Sequence, residues 1–593
     1  MPFKKEQFII NRNNLYESID VDDSRGREIP NNMNFVESGY LSKDTGSTLF
    51  GATETDACHS LYYYKKKDGV SYFIRAKNTK LQVYNYKRVM TADAATNVFT
   101  SNAHGMSDGT TVYVQTGGVL PSGLTTSTVY YVISSTTNTF KLSLTNGGTE
   151  IDITTAGTGN QYFYKVTPVW EDLSPTYTAG YEFGFIVYDD ILYGSNGKED
   201  YFKWDGTTFT TYASAPKGNV LEIFEDRMYV AGVLAEPLTI YYSDIGDPTT
   251  FDPSSVLKPV GTDSVIGLEN YYGFLLIFKK DTIWKLSFQY DATVNLFLPK
   301  LELQSGNYGA CSRSAISWVE NDIWFFTGRE VRSIGFKDQQ TGVLGVNASV
   351  ISDQIKETLF TIPTANYSQV STYYHNRRFY LNVSMTSGVG NNTTFVCHLL
   401  HKNLWTKYTS RIKSQNRQII EVDNVLYSAK SITPFGVLRW DDSVTTDNGT
   451  AISSYVQFTK IEDDDFNRFN LYRYLDLMFK NLNGTVGVTI KEDANDVRAT
   501  KSTTFYVGNV LEDELGSLGD TDWGEVLFAD SYGQSVESSP FIKKRISMLS
   551  KDQTLTIKLS ESTSTGSFTI AEFSLTGSKH PRRMFKPSSI LSI

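Results

Sequence analysis

Cysteine is scarce in this chain of 593 residues, which holds only Cys58, Cys311 and Cys397. They are far apart and form no CxxC pair, so neither a disulfide framework nor a cysteine zinc site can be built from them. Long basic clusters are also missing, and 55 basic against 65 acidic residues give a net charge of −10. A protein that holds nucleic-acid phosphates on a positive face is therefore disfavoured.

Long apolar runs are absent as well. No stretch of about 18 uninterrupted apolar residues occurs, and residues 1–7 lack the apolar core of a signal peptide. We therefore expect a soluble protein made in a cytoplasm. Helix signals are thin, and residues 352–360 are the best short candidate, with Ser352 as the cap. Aromatic residues, by contrast, reach 13%, with 37 Tyr, which favours strands and turns and predicts an all-β chain.

A weak internal repeat is the most informative feature. Its unit is a hydrophobic strand, a turn of one or two acidic or amide residues, and a second strand rich in aromatic residues. The steps between copies are about 37, 46, 50, 54 and 48 residues, within the scatter of a four-stranded propeller blade. The spacing predicts a six- to seven-bladed β-propeller. The copies centre on Asp189, Asp226, Tyr272, Asp322, Asn376 and Asn424.

The composition also divides the chain into five parts. We expect an N-terminal arm and irregular segment at 1–59, part of the first blade at 60–88, and the remaining blades at 166–450. Residues 89–165 are rich in Thr, Ser, Gly and Asn, and predict a small β-domain inserted into the first blade. Beyond about residue 450 the strands become longer, which predicts a C-terminal β-sandwich at 451–593.

The residues that could carry chemistry favour a structural interpretation. His398 and His401 are three apart, which on a strand puts them on opposite faces and disfavours a shared metal. Residues 243–248 are similar to the Asp-box turn of sialidase propellers, but a Ser-Asp-x-Gly turn commonly closes a hairpin. No phosphate-binding loop or nucleophile elbow occurs. We predict no enzyme activity, with no catalytic, cofactor-binding or metal-binding residue.

One acidic run stands out because four adjacent carboxylates could bind a hard cation. Consecutive spacing lacks the alternation and the glycine bend of a calcium loop, so a solvated or lumen-facing charge cluster is the favoured interpretation. The run consists of Glu462, Asp463, Asp464 and Asp465.

Three passages resemble one protein family. The first comprises residues 240–251 and 273–284, where an aromatic-Ser-Asp turn precedes a strand that ends in a Lys-Asp-Thr-Ile turn. The second is the insertion, with 104–109, 120–124, 130–133 and 138–142. The third runs from 543–546 to 568–573. Together they resemble the tail nozzle, or distal tail-tube, proteins of short-tailed bacteriophages, which are related to packaged-DNA stabilisation proteins. Residues 300–450 match only as a generic propeller.

The resemblance implies a structural virion component of the tail, synthesised in the host cytoplasm. It implies a homo-hexamer below the portal-adaptor ring proteins, in contact with tail fibre or other tail proteins, that retains double-stranded DNA and conducts it during ejection. Six copies at −10 give about −60, and a like-charged wall repels DNA over roughly one Debye length, about 8 Å at physiological salt. The acidic run at Glu462 to Asp465 is the candidate lumen-facing group.

Two other functions remain open from the sequence. A carbohydrate-active propeller would have a pocket at one end of its axis with paired carboxylates. A module that binds a host surface receptor would use the insertion at 89–165 or the exposed end of the sandwich as its contact surface.

Overall fold

The structure is a computed structural model, and it describes most of the chain. The described residues are 6–12, 15, 19, 21, 28–35, 40–293, 295–338, 343–347, 349–387, 390–409, 416–430, 435–458, 461–462, 468–483, 485–492, 501–508, 542–552, 554–564 and 566–581. Strands dominate them, which confirms the all-β prediction. Within these ranges no helix has the length and apolar character needed to cross a membrane.

The N-terminal segment forms strands, so the expectation of an irregular arm at 1–59 is wrong for its described residues. The strands are β1 (Glu6–Arg12), β2 (Met33–Phe35), β3 (Leu41–Lys43) and β4 (Gly46–Glu54). Three of them pair with distant parts of the chain: β1 and β3 pair with the last strand of the chain, and β4 pairs with a strand at Phe435–Asp441. Pairings this distant leave no local signal in the sequence.

The first sheet of a ring begins with β5 (Cys58–Lys65), β6 (Ser71–Lys77) and β7 (Lys80–Tyr84). The chain then leaves this sheet to form a closed six-stranded barrel, and returns as the outermost strand β14 (Trp170–Thr176). The barrel strands are β8 (Arg88–Asp93), β9 (Val98–Thr100), β10 (Thr111–Thr116), β11 (Tyr130–Ile133), β12 (Thr139–Ser143) and β13 (Gln161–Lys165).

Six further sheets follow, and the first five of them are each built from four consecutive antiparallel strands. The second has β15 (Gly184–Tyr188), β16 (Ile191–Ser195), β17 (Tyr201–Trp204) and β18 (Phe209–Tyr212); the third has β19 (Gly218–Phe224), β20 (Arg227–Val233), β21 (Ile240–Tyr242) and β22 (Val256–Leu257). The fourth has β23 (Val265–Tyr271), β24 (Phe274–Lys279), β25 (Ile283–Asp291) and β26 (Leu296–Ser305); the fifth has β27 (Ile316–Val319), β28 (Asp322–Phe326), β29 (Val331–Asp338) and β30 (Val343–Val346).

The sixth sheet has β31 (Ser371–His375), β32 (Arg378–Val383), β33 (Thr393–His398) and β34 (Leu404–Tyr408). The seventh has β35 (Asn416–Val422), β36 (Val425–Lys430) and β37 (Phe435–Asp441), followed by β4, β38 (Thr446–Asp447) and β39 (Thr450–Ala451). Its inner strand meets the first sheet, where the Leu61 amide donates to Gln418 Oε1 at 2.7 Å. Buried hydrophobic clusters lie between successive sheets and also between the seventh and the first, so the array closes into a propeller-like ring.

The turn between the first two strands of a sheet explains the residues at four of the six repeat centres, namely Asp189, Asp226, Asn376 and Asn424. Asp189 and Asp190 have φ values of 45° and 64°, and Asp423 and Asn424 have 49° and 63°. Two consecutive positive φ values are the type I′ geometry that suits the right-handed twist of a hairpin. Asp and Asn adopt this geometry more readily than other residues with a side chain, which is why the repeat carries them there.

Helical structure is confined to short turns. Four 3₁₀ turns occur among the described residues, and one helical turn, α1 (Lys356–Phe360), follows the second of them. Ser352 stands at the N-cap position of the turn Asp353–Ile355, as predicted, but its hydroxyl accepts from the Val331 amide at 2.9 Å and makes no cap bond. The 3₁₀ turns are Arg313–Ala315, Asp353–Ile355, Thr364–Gln369 and Leu399–His401.

The C-terminal strands form two sheets, but not a separate unit. One sheet combines β42 (Arg468–Asn483), β45 (Ile542–Asp552) and β47 (Ser567–Pro581) with β1, β2 and β3. The other combines β40 (Ser454–Gln457), β41 (Ile461–Glu462), β43 (Thr485–Glu492), β44 (Lys501–Gly508) and β46 (Thr554–Glu561). Their buried side chains belong to one cluster with those of the fifth and sixth ring sheets, so the expectation of a self-contained domain at 451–593 is corrected.

Candidate functional site

The predicted acidic run lies mostly outside the described residues. Glu462 ends β41, where its backbone pairs with Thr554. Asp463, Asp464 and Asp465 are not among the residues that the structure describes. Their orientation toward a lumen therefore stays a prediction.

The two neighbouring histidines do not share a strand. His398 ends β33, and His401 lies in the 3₁₀ turn that follows, so the expected alternation of strand faces does not apply. Both rings pack against Phe35, with centroids 5.0 and 5.5 Å away. Burial holds the pKa of His398 well below its usual value, and its Nε2 lies 3.0 Å from Thr406 Oγ1. In the described part of the chain, no three His, Cys, Asp or Glu side chains are grouped as metal ligands would be.

The turn at 243–248 is held by its own hydrogen bonds. Ser243 is fully buried, and its hydroxyl accepts from the Met228 amide at 3.0 Å and donates to the Asp244 carbonyl at 2.9 Å. Asp247 accepts from the Thr249 amide at 3.0 Å. These bonds satisfy the polar groups of the turn within the third sheet.

A charged cluster, by contrast, occupies the inside of the ring. Glu222 lies on β19, Glu269 on β23, and Arg313 immediately before β27. Arg313 Nη1 donates to the Phe183 carbonyl, at the entrance to the second sheet, at 3.1 Å. Because the guanidinium starts at the fifth sheet and reaches the second, it spans the interior of the ring. We call Glu222, Glu269 and Arg313 the axial cluster.

Burial and mutual repulsion govern the titration of this cluster. Burial raises the pKa of Glu222 to about 8, and the neighbouring Glu269 carboxylate adds to this rise, whereas Arg313 opposes it. Burial raises the pKa of Glu269 to about 7, against the opposing effects of a hydrogen bond from Trp318 and the charge of Arg313. Burial lowers the pKa of Arg313, an effect opposed by Glu182, Glu269 and Glu222. At neutral pH the cluster can therefore hold or release a proton beside a fixed cation.

Four aromatic side chains form a group where the fourth and fifth sheets meet, and one of them, Trp318, contacts Glu269. Trp318 Nε1 donates to Glu269 Oε2 at 3.2 Å, and the Tyr271 hydroxyl donates to the Asn321 carbonyl at 2.8 Å. Tyr271 stacks on the indole of Trp318 at a centroid distance of 5.2 Å and an angle of 29°. Tyr272 meets the same indole edge-on, at 5.7 Å and 72°, and Phe336 contacts both tyrosines.

This aromatic group is partly open to solvent. Tyr271 is 1% exposed, whereas Tyr272 and Trp318 are 57% and 37% exposed. The strand β23 places Glu269 and Tyr271 on the same side of the sheet, because they are two residues apart. We call Tyr271, Tyr272, Trp318 and Phe336 the aromatic platform.

Sequence reasoning missed both groups, although one signal was present. Glu222 and Glu269 each stand three residues before the first residue of the hairpin turn, at Glu225 and Tyr272. Both are carboxylates in strands that are otherwise mostly apolar, so aligning the repeat copies on their turns would have paired them. Nothing in the sequence places Arg313 beside them, because that contact depends on closure of the ring.

Comparisons with known proteins add little beyond the fold. No protein-family model and no curated protein matches this chain. It is similar to an exo-β-1,3-galactanase from Phanerochaete chrysosporium, with 10% identity over 66% of this chain and 95% of that one, at a TM-score of 0.20. It is also similar to Hsv2 from Kluyveromyces lactis, with 8% identity over 60% of this chain and 97% of that one, at a TM-score of 0.24. A third similar structure is the N-terminal domain of Nup159, with 10% identity over 41% of this chain and 66% of that one, at a TM-score of 0.26. Likenesses at this level carry no argument about activity.

Proposed function

We propose that the chain is a structural tail component of a short-tailed bacteriophage, a nozzle subunit that assembles as a hexamer below the portal-adaptor ring. In this proposal the ring is a seven-bladed β-propeller, and the two C-terminal sheets form a β-sandwich completed by the N-terminal strands. The three passages that resemble the nozzle family fall on the third and fourth sheets, the barrel and the strands β45 to β47. The proposed role needs no catalytic residue and no cofactor.

The observation that carries the proposal is the continuous hydrophobic core between the ring and the C-terminal sheets. Trp324 and Trp405 of the ring belong to the same buried cluster as Leu41 of β3, Phe479 of β42 and Leu559 of β46. Close-packed cores resist deformation and transmit force between the elements that they join. A tail part that holds pressurised DNA requires such a connection between its body and its tube.

The axial cluster indicates where DNA would pass. The bond between Arg313 and the Phe183 carbonyl bridges the interior of the ring. A DNA duplex is wider than its major groove, which alone measures about 12 Å, so it does not fit through this bridged interior. The duplex would therefore travel between subunits, through the lumen of the hexamer. Six copies at a net charge of −10 give the whole hexamer a net charge of about −60, and a lumen wall of the same sign would guide DNA without binding it.

The assembly test uses the purified full-length chain mixed with its portal-adaptor neighbours and imaged in negative stain. We expect six-fold rings whose subunits surround an open lumen. Particles that remain solitary at every ratio of chain to adaptor would contradict the proposal.

A second test addresses the acidic run. Replacing Glu462, Asp463, Asp464 and Asp465 with Lys should slow genome ejection from assembled particles, because the lumen would then attract phosphates. The matched control replaces four exposed acidic residues of the barrel and ring edge, Asp93, Asp152, Asp252 and Glu236, with Lys. Equal ejection kinetics for the two variants and the wild type would reject the lumen assignment of the run.

A further inference from the structure

We propose that the aromatic platform and Glu269 form a binding site for an uncharged saccharide. This inference goes beyond the structural role proposed above and does not depend on hexamer formation. It places a host-surface contact on the ring, not on the barrel or the C-terminal sheets.

The geometry of the aromatic residues is that of a supported flat surface. Tyr271 is buried and covers one face of the Trp318 indole, so the 37% exposure of Trp318 belongs to its opposite face and its rim. Tyr272, 57% exposed, extends the surface sideways. Exposed aromatic groups that are fixed from behind lose little side-chain entropy on binding, and they offer a large contact area to the C–H groups of a sugar ring.

A polar group beside this surface can accept bonds from sugar hydroxyls. Glu269 accepts one hydrogen bond from Trp318, and a carboxylate has about four acceptor positions, so acceptor capacity remains. A mainly apolar contact with a polar group at its edge is the usual composition of a small-molecule site.

The same geometry discriminates among ligands. A quaternary ammonium group needs aromatic rings arranged as a cage around an open volume. Here the centroids of Tyr272, Tyr271 and Trp318 are 4.9 to 5.7 Å apart, so the rings touch and enclose no such volume. The Glu269 carboxylate, in its ionised form, would repel acidic sugars. An uncharged sugar remains as the ligand class.

The test is isothermal titration calorimetry of the purified full-length chain at pH 7. The probes are neutral hexasaccharides of glucose, galactose, mannose and N-acetylglucosamine, with a hyaluronan hexasaccharide and phosphocholine as charged alternatives. We expect at least one neutral hexasaccharide to bind with a Kd of about 1 mM or lower. The charged probes should bind at least tenfold more weakly.

Variants locate the site. Tyr272→Ala and Trp318→Ala should each weaken binding at least tenfold, and Trp318→Phe less, because it keeps an aromatic face. The matched control is Tyr290→Ala, since Tyr290 is 49% exposed on the outer hairpin of β25 and β26 and is not part of the platform, and it should bind as the wild type does. Near-ultraviolet circular dichroism checks that each variant is folded. If Trp318→Ala does not fold, the result for Tyr272→Ala tests the proposal, because Tyr272 lies at an exposed turn.

Three outcomes would overturn the proposal. They are failure of every neutral hexasaccharide to bind the wild type, undiminished binding by folded Tyr272→Ala, and stronger binding of hyaluronan or phosphocholine than of any neutral probe.

Discussion

The barrel and the C-terminal sheets are both additions to the ring, yet they are attached in opposite ways. The barrel has a hydrophobic cluster of its own, which includes Phe99, Val112 and Phe140. The C-terminal sheets share one cluster with the fifth and sixth ring sheets and with the N-terminal strands. An insertion that completes its own core can be gained or lost as a unit, whereas strands that complete a shared core cannot.

The attachment of the barrel supports this distinction. The chain leaves and re-enters the first sheet at paired positions, because Tyr84 of β7 lies opposite Trp170 of β14. Two kinds of contact join the base of the barrel to the ring. Glu171 lies 3.5 Å from both Arg88 and Lys165, and Tyr162 of β13 packs into the hydrophobic cluster between the first and second sheets. The barrel therefore shares one aromatic side chain and two ion pairs with the ring, whereas the rest of its core is its own.

The largest effect should come from removing each addition whole. Replacing 88–165 with a short Gly-Ser linker should leave a folded ring, with Tm lowered by a few degrees at most, because the strand ends are already adjacent. Deleting 452–593 should abolish native near-ultraviolet circular dichroism, since Trp324, Phe379 and Trp405 would lose their cover. If the chain without 452–593 were monodisperse in gel filtration and kept a native near-ultraviolet signal, the contrast between the barrel and the C-terminal sheets would be contradicted.

Single substitutions in the two cores should show the same contrast on a smaller scale. Trp405 and Phe140 are both fully buried, and truncation of either to Ala should cost about 3–5 kcal/mol locally. Trp405→Ala should lower the main unfolding transition, because its indole also donates to the Ile351 carbonyl at 3.1 Å. Phe140→Ala should instead produce an early transition of the barrel alone. Calorimetry distinguishes the two, and a single shared transition in Phe140→Ala would show that the barrel is coupled to the ring.

The sequence could predict the parts of this fold that are local. The all-β class and the repeated hairpins follow from strand composition and from turns such as Asp189-Asp190 and Asp423-Asn424, whose positive φ values favour those residues. The pairing of Glu6 with Lys579, or of β4 with β37, could not be predicted, because it depends on closure across most of the chain. The axial cluster is hidden for the same reason, since Glu222 and Arg313 meet only inside the closed ring.

A buried ion pair between β3 and the C-terminal sheets tests how strongly these two parts of the shared core stabilise each other. Lys43 and Glu561 form a salt bridge with side chains 1% and 0% exposed, and Lys43 Nζ also donates to the Gly566 carbonyl at 2.9 Å. Lys43→Met leaves a buried carboxylate unpaired and should cost about 3–5 kcal/mol, whereas Lys43→Met with Glu561→Leu should recover most of the loss.

The control for this pair is a bridge at the surface of the ring. Lys67 and Asp189 lie 3.2 Å apart with side chains 76% and 78% exposed, so Lys67→Met should have almost no effect on stability. Urea denaturation measures all three variants. Equal losses for Lys43→Met and Lys67→Met would mean that the buried ion pair contributes no more to stability than the exposed one.

The smallest effect concerns the axial cluster in the interior of the ring, away from the barrel and the C-terminal sheets. The pKa of Glu222 is raised from 4.5 to about 8, so between these values the folded state holds a proton that the unfolded state has released. The stability of the wild type should therefore fall as pH rises from about 4.5 to 8. Glu222→Gln cannot ionise at this position, so its stability should not fall for this reason. We expect no difference between variant and wild type below pH 4.5, and an advantage for the variant of about 1–3 kcal/mol above pH 8, less than the full shift implies because water reaches the cluster.

Glu225→Gln, in the exposed turn of the same hairpin, is the control. Thermal unfolding at five pH values measures both, and an advantage for Glu222→Gln that grows toward acid pH would show that the axial cluster is stabilised by its charges and not strained by them.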